Sequence, residues 1–189
     1  MSKSPILTTA EITLRPPRAD DVHARMSLGR DPDIVRMFGL VLDGPGTVTE
    51  EEAADWLDHL RLQEHGWVIE HQGRLIGSAF LHSVDHTDRH AKLALGILDP
   101  ECLGRGLGRR IVPLVLTHAF GPVGLHRVEL RVLAYNERAI RCYRACGFAE
   151  EGRLRESALV GGVWHDDVIM AILAPAFFAR LATPDRASG

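Results

Sequence analysis

Leu103-Gly104-Arg105-Gly106-Leu107-Gly108-Arg109-Arg110 lies between a strand-like run, Ala91 to Leu98, and a helix-like run carrying Ile111, Val112, Leu114, Val115 and Ala119. Glycine at every second position lets backbone N–H groups approach a ligand with no Cβ in the way. The helix that follows offers unsatisfied N–H donors and the positive end of its dipole, so a phosphate or pyrophosphate is the natural guest. Arg105, Arg109 and Arg110 can add charge-assisted bonds. A nucleotide-binding P-loop would need Gly-Lys-Ser/Thr here, and no lysine is near. A dinucleotide fingerprint begun at Gly104 meets Arg109 where its third glycine belongs, and no acidic residue closes a following strand.

Outward from this loop the chain alternates strand and helix patterns. Ile12-Thr13-Leu14-Arg15 alternates at period two and Pro16-Pro17 stops it. Asp20 or Asp21 can cap a helix carrying Val22, Met26 and Leu28, and a second short helix is expected over Ile34 to Phe38. Thr49 and Glu52 form a capping-box pair, after which Ala53, Trp56, Leu57 and Leu60 share one helix face, with Gly66 as the expected stop. A hairpin turns at His71-Gln72-Gly73-Arg74. Val128 to Val132 alternates as a strand, Asn136 caps a helix that Gly147 ends, and Gly161-Gly162 joins two last strands, about 148–159 and 163–173. The pattern is α/β with a mixed sheet.

Composition agrees with one soluble core. The chain has 189 residues, 46% hydrophobic and 25% charged, within the roughly 100–200 residues that suit a single domain. A net charge of −3 gives no basic field for nucleic acid. No apolar run approaches the roughly 20 residues of a membrane helix, and the first residues lack a signal-peptide pattern. Three cysteines cannot all pair with one another. The expectation is a cytoplasmic protein without nucleic-acid or membrane partners, with a flexible N-terminus over residues 1–10 and a C-terminal tail over 176–189 that is loose from Ala182 on.

The second informative stretch is Asn136-Glu137-Arg138-Ala139-Ile140-Arg141-Cys142-Tyr143-Arg144-Ala145-Cys146-Gly147-Phe148. With the glycine loop, and with Glu151-Gly152 and Arg155 after it, it resembles the GNAT superfamily of acyl-CoA-dependent N-acyltransferases. Within that superfamily it looks most like the RimJ/RimL-type branch, to which polyamine acetyltransferases are also similar. The likeness runs from Leu14 through Leu173. It implies a single α/β (α+β) domain over 11–175, with a mixed, mostly antiparallel central sheet flanked by helices.

Carried over residue by residue, the resemblance implies that the backbone at Ile97 and Leu98 pairs with the pantetheine arm of acetyl-CoA. The amides of Arg105, Gly106, Leu107, Gly108, Arg109 and Arg110 would hold its pyrophosphate, the Asn136 side chain would contact the arm, and Tyr143 would sit beside the sulfur. Leu103 departs from the Gln or Arg frequent in the family; amide donors do not depend on that side chain. The chemistry is consistent with this reading. A departing thiolate benefits from a proton donor, a phenol can serve, and direct transfer to an amine needs neither a metal nor a covalent enzyme intermediate. The acceptor is a small-molecule or peptide amine, a protein N-terminal α-amine among them. Alternatives are another acyl donor such as succinyl-CoA, or a CoA-binding sensor without turnover, against which the presence of both Asn136 and Tyr143 argues. A homodimer is common among relatives.

No general base stands out. Lys92, Ala94 and Gly96 alternate where some relatives carry a glutamate, leaving Glu129, Glu70, His82 or water. His82, His86 and His90 recur every four residues in a polar connection between strands, where helical spacing loses its meaning, so solvated histidines and no metal are expected. Glu50, Glu51, Glu52, Asp55 and Asp58 suit a polyamine, but also suit the first turns of a helix.

Overall fold

The computed structural model describes residues 4–182. Eight strands form one sheet: β1 (Leu7–Thr8), β2 (Ile12–Arg15), β3 (His65–His71), β4 (Arg74–Asp85), β5 (His90–Ile97), β6 (Arg127–Leu133), β7 (Ala149–Val160) and β8 (Val163–Leu173). Their order is β1-β2-β3-β4-β5-β6-β8-β7. Every neighbouring pair is antiparallel except β5 and β6, so the sheet is mixed and mostly antiparallel, as expected. The helices are α1 (Asp21–Ser27), α2 (Pro32–Arg36), α3 (Glu50–Leu62), α4 (Leu107–Phe120), α5 (Glu137–Ala145) and α6 (Ala174–Ala182), with a 3-10 turn at Pro100–Cys102.

Alternation along the strands divides the core between the two sheet faces. Trp67 and Ile69 belong to the main core, with Ile111, Val115 and Leu116 of α4 and Val128, Leu130 and Val132 of β6. Val68 and Leu75 form a smaller cluster with Leu60 of α3, against which Ala24, Leu28, Trp56 and Phe80 pack. The capping box of α3 is complete: Glu52 N–H donates to Thr49 Oγ1 and Thr49 N–H to Glu52 Oε2. Gln72 and Gly73 both have positive φ (52° and 78°), the backbone a two-residue hairpin turn requires.

Three expectations are corrected. Gly66 does not stop α3, which ends at Leu62; it lies inside β3, where a Cβ would come within 2.4 Å of the Leu60 carbonyl oxygen. Of the two cap candidates, Asp20 holds the N-cap position of α1, while Asp21 is a buried partner of Arg15, with Nη2–Oδ1 at 2.6 Å and Nη1–Oδ2 at 2.9 Å. The described part of the N-terminal segment is tied down. Leu7–Thr8 pairs with β2, Gly66 N–H donates to Ser4 Oγ at 2.7 Å, and Trp67 Nε1–H donates to the Pro5 carbonyl. At the other end, residues 176–182 belong to α6, which buries Phe177. Segments this short carry no readable periodicity, and long-range partners fix them. Residues 1–3 and 183–189, the rest of the two expected loose ends, lie outside the described residues.

Candidate active site

The one parallel pairing creates the site. β5 and β6 are in register only at His90–Arg127, Ala91–Val128 and Lys92–Glu129. Beyond these pairs the strands part, and a cleft of about 800 Å³ opens between Leu95 and Ile97 on one side and Arg131, Val132 and Leu133 on the other. From one face it is lined by the glycine loop and α5, through Gly104, Gly106, Gly108, Asn136 and Tyr143 among others. From the opposite face it is lined by Ile34, Met37, Phe38 and Gly39 around α2, and by Ala158 and Asp167 of the last hairpin. Arg131 belongs to this second face, because Val128, Leu130 and Val132 alternate toward the core.

The glycine loop is built as a donor cradle. Gly104 and Gly106 both hold φ of 73°, a left-handed conformation that aims successive N–H groups to one side. Among the described residues no backbone carbonyl takes the N–H of Gly104, Arg105, Gly106, Leu107 or Gly108. These orphan donors stand at the start of a 14-residue helix, where the dipole also favours an anion. Arg109, Arg138 and Arg141 line the same side.

Asn136 caps α5 through its side-chain oxygen, which accepts from Ala139 N–H at 3.2 Å, so the amide NH₂ is the end left to serve the cleft. Tyr143, seven residues on, is 7% exposed, packs against the Phe148 ring at a tilt of 59° and lines the cleft. Burial pushes its phenol above the ordinary range, and the Cys142 and Cys146 thiols push in the same direction. The hydroxyl therefore holds its proton throughout neutral pH.

The cleft gathers Ile97, Gly106, Leu107, Gly108, Arg109, Asn136 and Tyr143 from the residues expected in the site. Leu98 does not line it: its N–H donates to the Ile76 carbonyl at 2.7 Å. The Arg105 side chain lines a small separate hollow with Asp99 and Glu101, and the Arg110 guanidinium turns away to pair with Glu11. Neither residue lines the cleft.

None of the three candidate bases reaches the cleft. Glu70 holds Arg15, with Nε–Oε1 at 2.7 Å. Glu129 lies between Arg127 at 3.1 Å and Lys92 at 3.4 Å; burial would raise its carboxyl, but these cations hold it below the usual range. His82, paired with Lys92 across β4 and β5, is pushed down by burial and by that lysine. The acidic residues at the start of α3 are outside as well, Glu52 being engaged by Arg30 at 2.7 Å. Of the loop histidines, His90 comes near Asp85 and Asp88, whose ligand atoms lie within 4.8 Å of its own; Asp85 Oδ1 already accepts from two backbone N–H groups of the turn.

Sequence reasoning missed two residues of the second face. Arg131 and Asp167 read as ordinary alternating strand residues, and only strand pairing places them together at the cleft.

The model of the acetyltransferase (GNAT) domain matches residues 11–149. The chain is 28% identical over 174 residues to the spermidine N(1)-acetyltransferase of Escherichia coli strain K12, covering 92% of this chain and 91% of that protein. It is 33% identical over 118 residues to the Vibrio cholerae spermidine N(1)-acetyltransferase, covering 62% and 68%. The structure superposes on spermidine N-acetyltransferase from Vibrio cholerae in complex with CoA and spermine with a TM-score of 0.75 at 25% identity, over 90% of this chain and 99% of the other. A GNAT-family acetyltransferase from Bacillus anthracis shares the fold, with a TM-score of 0.76 at 17% identity over 90% and 99%. An amide cradle, a phenol and a cleft at parted parallel strands thus occur in a chain that belongs to the GNAT acetyltransferase family, enzymes that move an acetyl group from acetyl-CoA to an amine.

Proposed function

We propose that the donor lies along the glycine-loop face of the cleft and that the amine enters from the α2 face, to be acetylated in one direct transfer. The observation that carries this reading is Tyr143, a buried phenol lining the same cleft as the unpaired amides of Gly104 to Gly108. On this reading those amides and the dipole of α4 receive the pyrophosphate. Arg109, Arg138 and Arg141 add positive charge on that side, the Asn136 amide and the Ile97 backbone hold the arm, and Tyr143 gives its proton to the departing thiolate. Leu98, Arg105 and Arg110 contribute backbone at most, since their side chains or N–H groups are engaged elsewhere.

The acceptor is a small-molecule amine, a reading supported by the likeness to spermidine acetyltransferases along nearly the whole chain. A RimJ/RimL-type protein α-amine is the second reading, favoured by the openness of the α2 face, where Phe38 is half exposed. The working unit is residues 11–175, acting in the cytoplasm. Release of the CoA thiol from acetyl-CoA is to be followed with spermidine, amino sugars, aminoglycosides and N-terminally free peptides. Turnover on polyamines alone selects the first reading, turnover on peptides alone the second, and silence on all of them with acetyl-CoA bound overturns both.

A further inference from the structure

Asp167 is the only acidic side chain among the residues lining the cleft, and no histidine lines it. It is 3% exposed, set on β8 opposite Leu133 of β6. Its two oxygens are used unequally. Ser157 Oγ–H donates to Oδ2 at 2.6 Å, and the Arg131 guanidinium pairs with the same oxygen. Among the described residues no side-chain hydrogen bond or ion pair reaches Oδ1. A carboxylate has about four acceptor positions, so this arrangement leaves lone pairs open on a buried anion at the wall of a cleft.

The neighbouring backbone is bent to hold the carboxylate in place. β7 bulges between Leu154 and Ala158, and within the bulge Glu156 takes a φ of 50°, a left-handed conformation that disfavours a side chain. The bulge is pinned by Glu156 N–H donating to Asp166 Oδ1 at 2.9 Å, and it is what carries Ser157 onto Asp167. Strain of this kind persists only where the surroundings over-determine it, and it gathers at functional positions.

We infer that Asp167 is the seat of the acceptor's ammonium group, with Oδ1 accepting its N–H bonds from the α2 face while Ser157 and Arg131 fix the carboxylate through Oδ2. The inference deepens the acyl-transfer reading and rests on it. It also gives Arg131 a role: a half-exposed cation beside the anchor reduces the pull on polycations and leaves a single-ammonium seat. Asp167 is a binding and orienting residue here; the seated ammonium first gives one proton to water so that its nitrogen has a lone pair for attack, and the second proton, shed as the amide forms, replaces through solvent the one Tyr143 gives to the thiolate.

The test titrates the full chain, with and without CoA, with spermidine and with an N-terminally free alanyl tripeptide, by calorimetry. The expected result is that wild type binds at least one of these amines. Asp167→Asn should weaken that binding about tenfold or more while leaving CoA affinity unchanged, as for loss of a hydrogen bond to a charged group. Arg131→Gln, which removes the competing cation but keeps the carboxylate and its bond from Ser157, should bind the amine more tightly than wild type, and unchanged or weaker binding overturns the proposal. A merely structural pair would make both variants weaker alike, and that outcome overturns the proposal. So does an Asp167→Asn protein with wild-type amine affinity, or a wild type that takes CoA and neither amine. Should Asp167→Asn fail to fold, Arg131→Gln decides alone by the direction of its change. If amine binding depends on Asp167 but no CoA binds, the acyl-transfer reading falls and the ammonium seat stands.

Discussion

A Cβ added at Gly108 would lie 2.8 Å from Cys142 Sγ, so the start of α4 and the middle of α5 meet with no room for one methyl group. The glycine is needed here for approach, in contrast to Gly104 and Gly106, which are needed for their positive φ. Because the same turn supplies the amide donors of the cleft, packing between two helices sets the geometry of the anion cradle.

Gly108→Ala is accordingly expected to cost about 1–3 kcal/mol of stability, the range for over-packing a tight contact, and to weaken CoA binding by tenfold or more. Cys142→Ala should be far milder, and the double variant should regain most of both losses. A double-mutant cycle on urea midpoints and CoA affinity measures the coupling; additive effects would mean that the two residues do not clash.

Tyr143→Phe removes the hydroxyl and keeps the ring against Phe148. Loss of a general acid lowers kcat by about a hundredfold or more, with CoA affinity unchanged. Since burial raises the phenol, wild-type kcat should show no loss of a protonated group as pH rises to about 10, the ordinary tyrosine value. A descending limb near pH 8 that vanishes in Tyr143→Phe would keep Tyr143 as the acid and contradict the upward shift of its phenol; a rate unchanged in Tyr143→Phe would remove it as the acid.

Arg15 and Asp21 are 5% and 2% exposed, and Glu70 also holds the guanidinium. Asp21→Ala leaves an under-compensated buried cation and should destabilise the chain by about 3 kcal/mol, the lower end for breaking such a pair because Glu70 remains. Asp20→Ala, at a cap position whose side chain makes no capping hydrogen bond, should change stability by less than about 0.5 kcal/mol. Equal effects in denaturant titrations would return Asp21 to the status of an ordinary surface residue.

His118 stands edge-on to Trp67 and 3.2 Å from His65, and burial, helped by His65, pushes its imidazole down to about 4. The unfolded chain accepts the proton near the ordinary 6.5, and the folded one refuses it until about 4. The contribution to stability is therefore complete above pH 6.5 and is lost as pH falls toward 4, by up to about 3 kcal/mol over the whole window. Thermal unfolding of wild type should fall steeply across that window, and His118→Phe, which retains a ring on Trp67, should flatten the slope.

The sequence made much of this legible because local signals and the fold agree. Thr49 and Glu52 cap α3 within three residues of each other, Gln72-Gly73 turns its hairpin, and Asn136 starts α5 where its side chain reaches Ala139. The glycine-loop side of the cleft was readable for the same reason, since one loop and the helix after it supply most of its lining. Glu129, Glu70 and His82 were poor candidates for a base because a strand pattern does not say which cations lie on the neighbouring strand; Lys92 stands there for Glu129 and His82, and Arg15 for Glu70.

By itself, then, the chain's order of residues determined helices α3, α4 and α5, the hairpins, the glycine turn with its unpaired amides and the position of Tyr143 on α5, all of which depend on partners a few residues apart. Only the tertiary structure decided where β5 and β6 part, that Leu98 spends its N–H on Ile76, and that Arg131, Ser157 and Asp167 meet on the far face. Those choices depend on register between strands remote in sequence. Register is set by the packing of whole faces against one another, which no local spacing records.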